Sequence, residues 1–313
     1  MSTIQQLDFK HFTWTNITNI GENELRFIRQ NFNFHPLDLQ DVSSENQRNK
    51  IDTYKNYIFA AFLFPIYNKT KQQMTTAETD FFVGKDFFVT VQREKFGVIN
   101  EMFNMLRINE VAQNNYNSHT SSEYLFYDIM FKLYDKIFPM LDHVSEASKE
   151  IEEAIFSGRK VGQNNVRRIL TIRSNLTDMR KSMQGHKNVL IKALETFREN
   201  SNFMMNSSDH YFENLIDTTK ELWSILESSK EYIETLHETN TSLISFKLNQ
   251  IMKTLTIISV ITFPITLMAA IFGMNTIKSM PFIENEYGFW VVIAMMVSVA
   301  TLMLVIFKKK GWF

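Results

Sequence analysis

Residues 254–272 carry no charged side chain, a run about long enough to cross the hydrocarbon core of a bilayer as one helix. A second uncharged run, residues 287–307, follows a short polar turn and is closed by Lys308, Lys309 and Lys310. Together they predict a transmembrane hairpin of two helices, with membrane lipid as the solvent of its outer surface. Ahead of the first run, Leu215, Leu222, Leu226, Ile233, Leu236, Leu243 and Leu248 follow at near-heptad spacing from a start near Asp209. No helix breaker separates this stripe from residue 254. One stalk helix is therefore expected to continue into the bilayer, roughly 80 Å or more in length at about 1.5 Å per residue.

Two further helices precede it. Tyr124, Phe126, Tyr127, Met130, Phe131, Tyr134, Ile137, Phe138 and Leu141 recur at three- and four-residue steps, as on an amphipathic helix. The glycine-containing stretch 158–162 interrupts that helix, a second is expected from about residue 165 to 198, and the polar segment 200–209 turns the chain again. Residues 1–100 follow a different rhythm, that of a small mixed α/β domain. Residues 11–20 alternate like a strand and stop at Gly21. Leu25, Ile28 and Phe32 make a short helical stripe, and residues 37–42 begin another helix after Pro36, with Asp38 in its first turn. Residues 57–66 and 81–91 are the best strands, separated by a polar turn region, and Gly84-Lys85-Asp86 divides the second into a hairpin. The expected organisation is a cytosolic α/β domain (1–122), a long-helix stalk (123–250), a first transmembrane helix (251–272), an external loop (273–286), a second transmembrane helix (287–307) and a basic cytosolic tail (308–313).

Composition narrows the function classes. The 33 basic and 34 acidic residues give a net charge of -1, no field that would favour nucleic acid. Cysteine is absent, which excludes disulfides and thiolate metal sites. The N-terminal residues lack the basic-then-apolar order of a secretory signal. Lys247 and Lys253 flank the first run and three lysines close the second, so both termini are expected in the cytoplasm and the turn outside the plasma membrane. No phosphate-cradling GxxxxGK[ST] loop occurs, which argues against a nucleotide-driven pump. No nucleophile–base pairing suggests an enzyme.

On the first run, Met252, Leu255, Ser259, Thr262 or Phe263, Thr266, Ala270 and Gly273 share one face, with Asn249 just ahead. Ile257, Ile258, Ile261, Ile265, Leu267 and Met268 lie opposite, and suit lipid or the second helix. A face of small hydroxyls and a few apolar residues suits the wall of a narrow pore, with Met252 and Leu255 as a constriction that gates by dewetting. It equally suits helix packing, where small residues are common. One hairpin encloses no water-filled path, so transport through it requires a ring of copies. Pro264 removes one helical hydrogen bond and can bend the helix.

The sequence Phe272-Gly273-Met274-Asn275 at the end of this span resembles the signature of the CorA family of divalent-cation channels. Met252-Lys253-Thr254-Leu255-Thr256-Ile257-Ile258 before it, Met280-Pro281 after it and the terminal Lys-Lys-Lys-Gly-Trp-Phe add to the resemblance. In the soluble part, His35-Pro36-Leu37-Asp38-Leu39-Gln40-Asp41-Val42 and Gln47-Arg48-Asn49-Lys50-Ile51 are similar to the family's HPL-x-LED and QRPK-x stretches. The resemblance implies a funnel-shaped homopentamer with an N-terminal α/β domain, a helical stalk and a pore lined by the first span at Asn249, Met252, Leu255, Ser259, Phe263 and Thr266. It implies Mg2+ as the ion, with Co2+ and Ni2+ also carried; the alternative is the related branch that carries Zn2+, with coupling to protons as one option. Gly273, Met274 and Asn275 would form the selectivity filter. Mg2+ holds its water shell tightly, so a ring of Asn275 carboxamides can select the hydrated ion through its waters. By local rules alone, Asn275 caps the helix and Gly273 ends it.

The resemblance further implies that Asp41 on the α/β domain and Glu238 on the stalk hold a regulatory cation between subunits. Two facing carboxylates repel unless a cation lies between them, so an empty site would favour opening; as plain residues, both suit solvated surface acids. The sequence also departs from the family pattern. Gln40 stands where an acid is usual, Phe272 where Tyr is, and Phe263 where pores often have Met. Phe282 follows Pro281 in place of an acid, which leaves Glu284 and Glu286 to attract cations outside. His35, His210 and His237 are candidate zinc ligands or ordinary structural histidines. A membrane-anchored sensor or scaffold remains the alternative to transport.

Overall fold

The computed structural model describes residues 3–44, 48–68, 70, 72–93, 97–119, 121–157, 163–200, 203, 209–275, 281–282 and 286–312. The chain divides into two compact units, Met1–His237 and Glu238–Phe313.

The first unit is built on a six-stranded sheet. Its strands are β1 (Ile4–Asp8), β2 (Thr13–Thr18), β3 (Lys50–Thr53), β4 (Tyr57–Asn68), β5 (Gln73–Gly84) and β6 (Phe87–Gln92). They lie in the order β1-β2-β6-β5-β4-β3, with β2 and β6 parallel and the other pairs antiparallel. Strand β4 reads as a continuous apolar run because both faces of the sheet are covered. On one face, Phe59, Ala61, Phe82, Val89 and Val91 pack with Ile28 of α1 (Glu22–Asn31) and with Leu39 and Val42 of α2 (Pro36–Ser43). On the other, Trp14 meets Phe103 of α3 (Gly97–Ile108), and Phe62 and Phe81 meet Phe126. The remaining helices of this unit before residue 209 are α4 (Glu110–His119), α5 (Ser122–Asp135), α6 (Phe138–Phe156), α7 (Gln163–Met183) and α8 (His186–Glu199).

Three expectations change in detail. The region before residue 81, read as a polar turn, belongs largely to β5, which pairs with β4 as far as Gln73 with Asn68. Gln73, Thr75 and Thr76 are exposed while Met74 and Ala77 are buried, and Asn175 fixes the start of the strand by accepting from Met74 N at 2.9 Å. The helix expected from residue 123 is two helices, α5 and α6, with Pro139 in the first turn of α6, where a missing N–H costs nothing. The helix expected over 165–198 breaks at Gly185, whose φ of 91° favours glycine. The stretches 158–162 and most of 200–209, read as interruptions, lie outside the described residues, apart from Asn200, Phe203 and Asp209.

Two side chains with no forecast role hold the α7–α8 corner to the sheet. The Asn49 carboxamide donates to Ser182 O (2.8 Å) and Gln184 O (2.6 Å) and accepts from Leu63 N (2.7 Å). Asn49 stands where the family pattern has proline, so this departure has a structural use. His186, fully buried, lies 2.9 Å from Leu63 O and 3.0 Å from the Tyr134 hydroxyl. A carbonyl only accepts, so Nε2 carries the proton and Nδ1 accepts from Tyr134. Burial pushes the imidazole pKa down to about 4.

The long helix is observed as α9, Asp209–Phe272, 64 residues without interruption. Leu215, Leu222, Leu226, Ile233 and Leu236 of its stripe are buried, whereas Leu248 is exposed. Tyr232 donates to Glu152 of α6 at 2.6 Å, and Arg180 of α7 pairs with Glu227 at 3.0 Å and covers the Trp223 ring. In the second unit, the last part of α9 is followed by α10, Gly288–Lys309; α9 and α10 are both long and apolar enough to cross a membrane. Lys253 donates to Gly311 O at 3.1 Å, so the lysine-rich ends of the hairpin meet. At the other end, a Cβ on Gly288 would lie 2.0 Å from Phe282 O, so this close approach requires glycine.

Asn49→Ala is expected to destabilise the protein by about 1–3 kcal/mol through unpaired buried backbone groups, read as a lower thermal midpoint in detergent. Because the native His186 pKa lies below its unfolded value, the unfolded chain binds more protons between pH ~6.5 and ~4, and stability falls as pH falls through that window. The loss from this group reaches about 3 kcal/mol at the acid end. His186→Gln should flatten the corresponding part of the melting-point profile against pH.

Candidate functional site

Among the described residues, the face of the first span assigned to a pore is exposed. Met252, Leu255 and Phe263 are 59%, 57% and 73% exposed, and Asn249, Ser259 and Thr266 are exposed with them. The less exposed positions are Lys253, Ile257, Ile261, Pro264, Ile265, Met268 and Phe272. These recur at helical steps and form the stripe that begins at the Lys253–Gly311 contact with the end of α10. Ile258 and Leu267, read from sequence as suiting lipid or the second helix, are 57% and 53% exposed. The hydroxyl of Thr266 donates to Thr262 O at 2.9 Å. Its proton is thus used within the helix, which leaves the oxygen of this exposed residue as an acceptor. Helix α9 runs unbroken through Pro264.

Helix α9 ends at Phe272, and Gly273 N still bonds to Ala269 O at 2.9 Å. Gly273 does not adopt a left-handed conformation. What a side chain would meet here is the Ala269 carbonyl, 3.0 Å from a Cβ position. Met274 and Asn275 are exposed, and among the described residues the Asn275 carboxamide has no hydrogen-bond partner. The local expectation that Asn275 caps the helix is therefore not met among those residues. Of the external loop, Pro281, Phe282 and Glu286 are described; Lys278, Met280 and Glu284 lie outside the described residues, as does Gln47 of the second family stretch.

The candidate regulatory ligand Asp41 sits on α2, whose start is set by Pro36 and by the His35 imidazole accepting from Leu37 N at 3.3 Å. Asp38, Asp41 and Asp52 bring one carboxylate oxygen each within 4.8 Å of one another. Lys50 lies among them. Its ammonium pairs with Asp41, reaches Asp52 at 2.8 Å and lies 5.0 Å from the centre of the Phe59 ring. Burial works against its charge, but the Asp41 and Asp52 hydrogen bonds prevail and hold the amine above its usual pKa. Asp38 is buried, and its two oxygens accept from Tyr54 (2.9 Å) and Tyr57 (2.7 Å). Burial holds its carboxyl above the usual range, against those two hydrogen bonds. Both phenols are in turn pushed up, by burial first and then by Asp38. Glu238 on α9 is exposed, and Gln40 is exposed beside Asp41.

Sequence reading missed Lys50 and a buried acid pair beside it. Glu78 and Asp80 alternate along β5, on the sheet face that α2 covers. Burial, then Glu78, push the Asp80 carboxyl well up, and one Asp80 oxygen has no hydrogen-bond partner. Arg93 approaches Glu78 at 3.4 Å and donates to Val42 O (3.1 Å) and to Ser44 O, at the end of α2. Both acids lie in the stretch read as a polar turn, and only the strand pairing and the covering helix make them buried. Among the described residues, the Asp38–Asp41–Asp52 group is the one set of three potential ligands that could hold a metal ion. His35 caps α2, and His210 lies exposed, 3.4 Å from Glu213.

A family profile described as CorA-like Mg2+ transporter protein matches residues 9–309. The cobalt/magnesium transport protein CorA of Thermotoga maritima is 28% identical over 301 residues, covering 96% of this chain and 83% of that protein. The complete structure of the CorA magnesium transporter from Methanocaldococcus jannaschii matches with a TM-score of 0.83 at 21% identity, over 100% of this chain and 95% of that one. The cytoplasmic domain of ZntB from Vibrio parahaemolyticus shares the fold at a TM-score of 0.62 and 9% identity, over 78% of this chain and 99% of that one. With the profile running from β2 to the end of α10, the chain belongs to the CorA-like Mg2+ transporter family, a family of membrane transporters and not of enzymes.

Proposed function

We propose that five copies of this chain form a passive, potential-driven magnesium channel in the plasma membrane, one that also carries Co2+ and Ni2+. Both termini lie in the cytoplasm, consistent with the gathering of Lys253, Lys308, Lys309 and Lys310 at one end of the hairpin. The observation that carries the reading is the exposed face of the first span from Asn249 to Thr266, continued by the exposed Asn275. In a ring of copies this face becomes the pore wall. Met252 and Leu255 form its hydrophobic gate, and Ser259, Phe263 and Thr266 line the path above. Gly273 and Met274 set the backbone on which Asn275 presents its acceptor oxygens. Neutral acceptors hold a hydrated ion through its water shell without trapping it.

In the cytosol, Asp41 of one copy and Glu238 of the next bind Mg2+ and hold the channel closed. Carboxylate oxygens are the donors this ion prefers, and Asp41 is partly accessible, its side chain 27% exposed. Loss of the ion returns two like charges to the boundary and favours the open state. Zinc transport by the same architecture is the rival. The carboxylate character of the Asp41 group favours the harder ion, since zinc sites are built on imidazole and thiolate nitrogen and sulfur.

Asn275→Ala should abolish Mg2+ uptake into proteoliposomes while leaving oligomers intact; unchanged uptake would remove Asn275 from the filter. Competition between Zn2+ and Mg2+ across an imposed pH gradient decides the ion, with Zn2+ flux that tracks the gradient overturning the magnesium assignment. No flux at all, despite normal oligomers, would point to a sensor. Asp41→Ala or Glu238→Ala should raise the internal Mg2+ needed for half-inhibition by about tenfold.

A further inference from the structure

Lys50 stands on the edge strand β3, opposite Ala61 of β4. The small side chain of Ala61 leaves room above the sheet, and the lysine stem extends over Phe59 towards α2. There its ammonium is shared between Asp41 and Asp52. Asp38 is the third carboxylate of the group, but both of its oxygens already accept from phenols. The lysine therefore covers the acid proposed as a metal ligand and the acid with most freedom to receive it elsewhere, since the Asp52 side chain is 43% exposed.

An ammonium and a divalent cation seek the same carboxylate oxygens, and their charges repel. A metal arriving at Asp41 must displace the lysine or share the oxygen with it. Because the lysine is tethered, its local concentration is fixed by the fold, and dilution does not remove it. We infer that Lys50 is a built-in competitor for the Asp41 carboxylate, which moves onto Asp52 when a divalent cation binds and thereby sets how much cytosolic Mg2+ is needed to close the channel. The inference rests on the reading of Asp41 as a regulatory ligand. It assigns a residue that determines the threshold, and it gives Asp52 a role as the lysine's alternative partner.

The test uses the full-length protein in detergent. Its thermal midpoint is followed against MgCl2 to give a half-saturating concentration, and inhibition by internal Mg2+ is measured in proteoliposomes alongside. Lys50→Met and Lys50→Gln should each lower the half-saturating Mg2+ about tenfold in both assays. Lys50→Arg, which keeps the charge, should remain close to the parent. Asp41→Asn in the Lys50→Met background should remove the gain. If Asp41→Asn alone weakens Mg2+ binding but neither Lys50 variant tightens it, the competitor role is overturned and the Asp41 site stands. If Asp41→Asn leaves the Mg2+ dependence unchanged, Asp41 is not the ligand and both readings fall.

Discussion

A backbone inside hydrocarbon must satisfy its own hydrogen bonds, since no water is there to do so. Helix α9 meets that requirement along the same 64-residue element that begins among soluble helices. Its first half behaves as a core helix, with Leu215, Leu222 and Leu226 fully buried. Its last turns expose Met252, Leu255 and Phe263. The side chains change with the solvent while the backbone pattern does not. A hairpin built this way satisfies its backbone but has no interior, and any polar path must come from the outer faces of several copies.

The same element was the most legible in the sequence. Its length and its lack of charge between residues 254 and 272 are local properties, and they survive folding unchanged. The exposed face was readable for the same reason, because helical spacing alone groups Met252, Leu255 and Ser259. What the sequence obscured was every feature that depends on a distant partner. The α7–α8 break looked like continuous helix because Gly185 alone is a weak signal, and Asn49, which secures the break, lies 133 residues from Ser182. The start of β5 looked like a turn because its outward positions are polar; its pairing with β4 and its bond to Asn175 decide otherwise.

On α2, family resemblance pointed to Asp41, but its chemistry is set by neighbours that the motif does not contain. Lys50 arrives from β3, Asp52 from two residues further along that strand, and the phenols that hold Asp38 from the β3–β4 corner. Three acids and one base, partly shielded from water, interact more strongly than the same groups would on an open surface. The buried Glu78–Asp80 pair and Arg93 extend this polar region to the end of α2. Helix α2 thus rests on charge at one end of its inner face and on Leu39 and Val42 elsewhere.

The contacts at the α7–α8 corner also order events in time. His186 reaches back 123 residues to Leu63, and Asn49 reaches forward 133 to Ser182. Contacts of such sequence separation form late, after the local hairpins and helices. While the chain emerges from a ribosome, strand β4 is complete more than fifty residues before α5 brings Phe126 and Tyr134 against Phe62 and Phe64, and more than a hundred before His186 packs on the same two rings. The nascent sheet is in that interval a sticky intermediate, and the synthesis of α5 to α8 is a race between closing this face and associating with another chain.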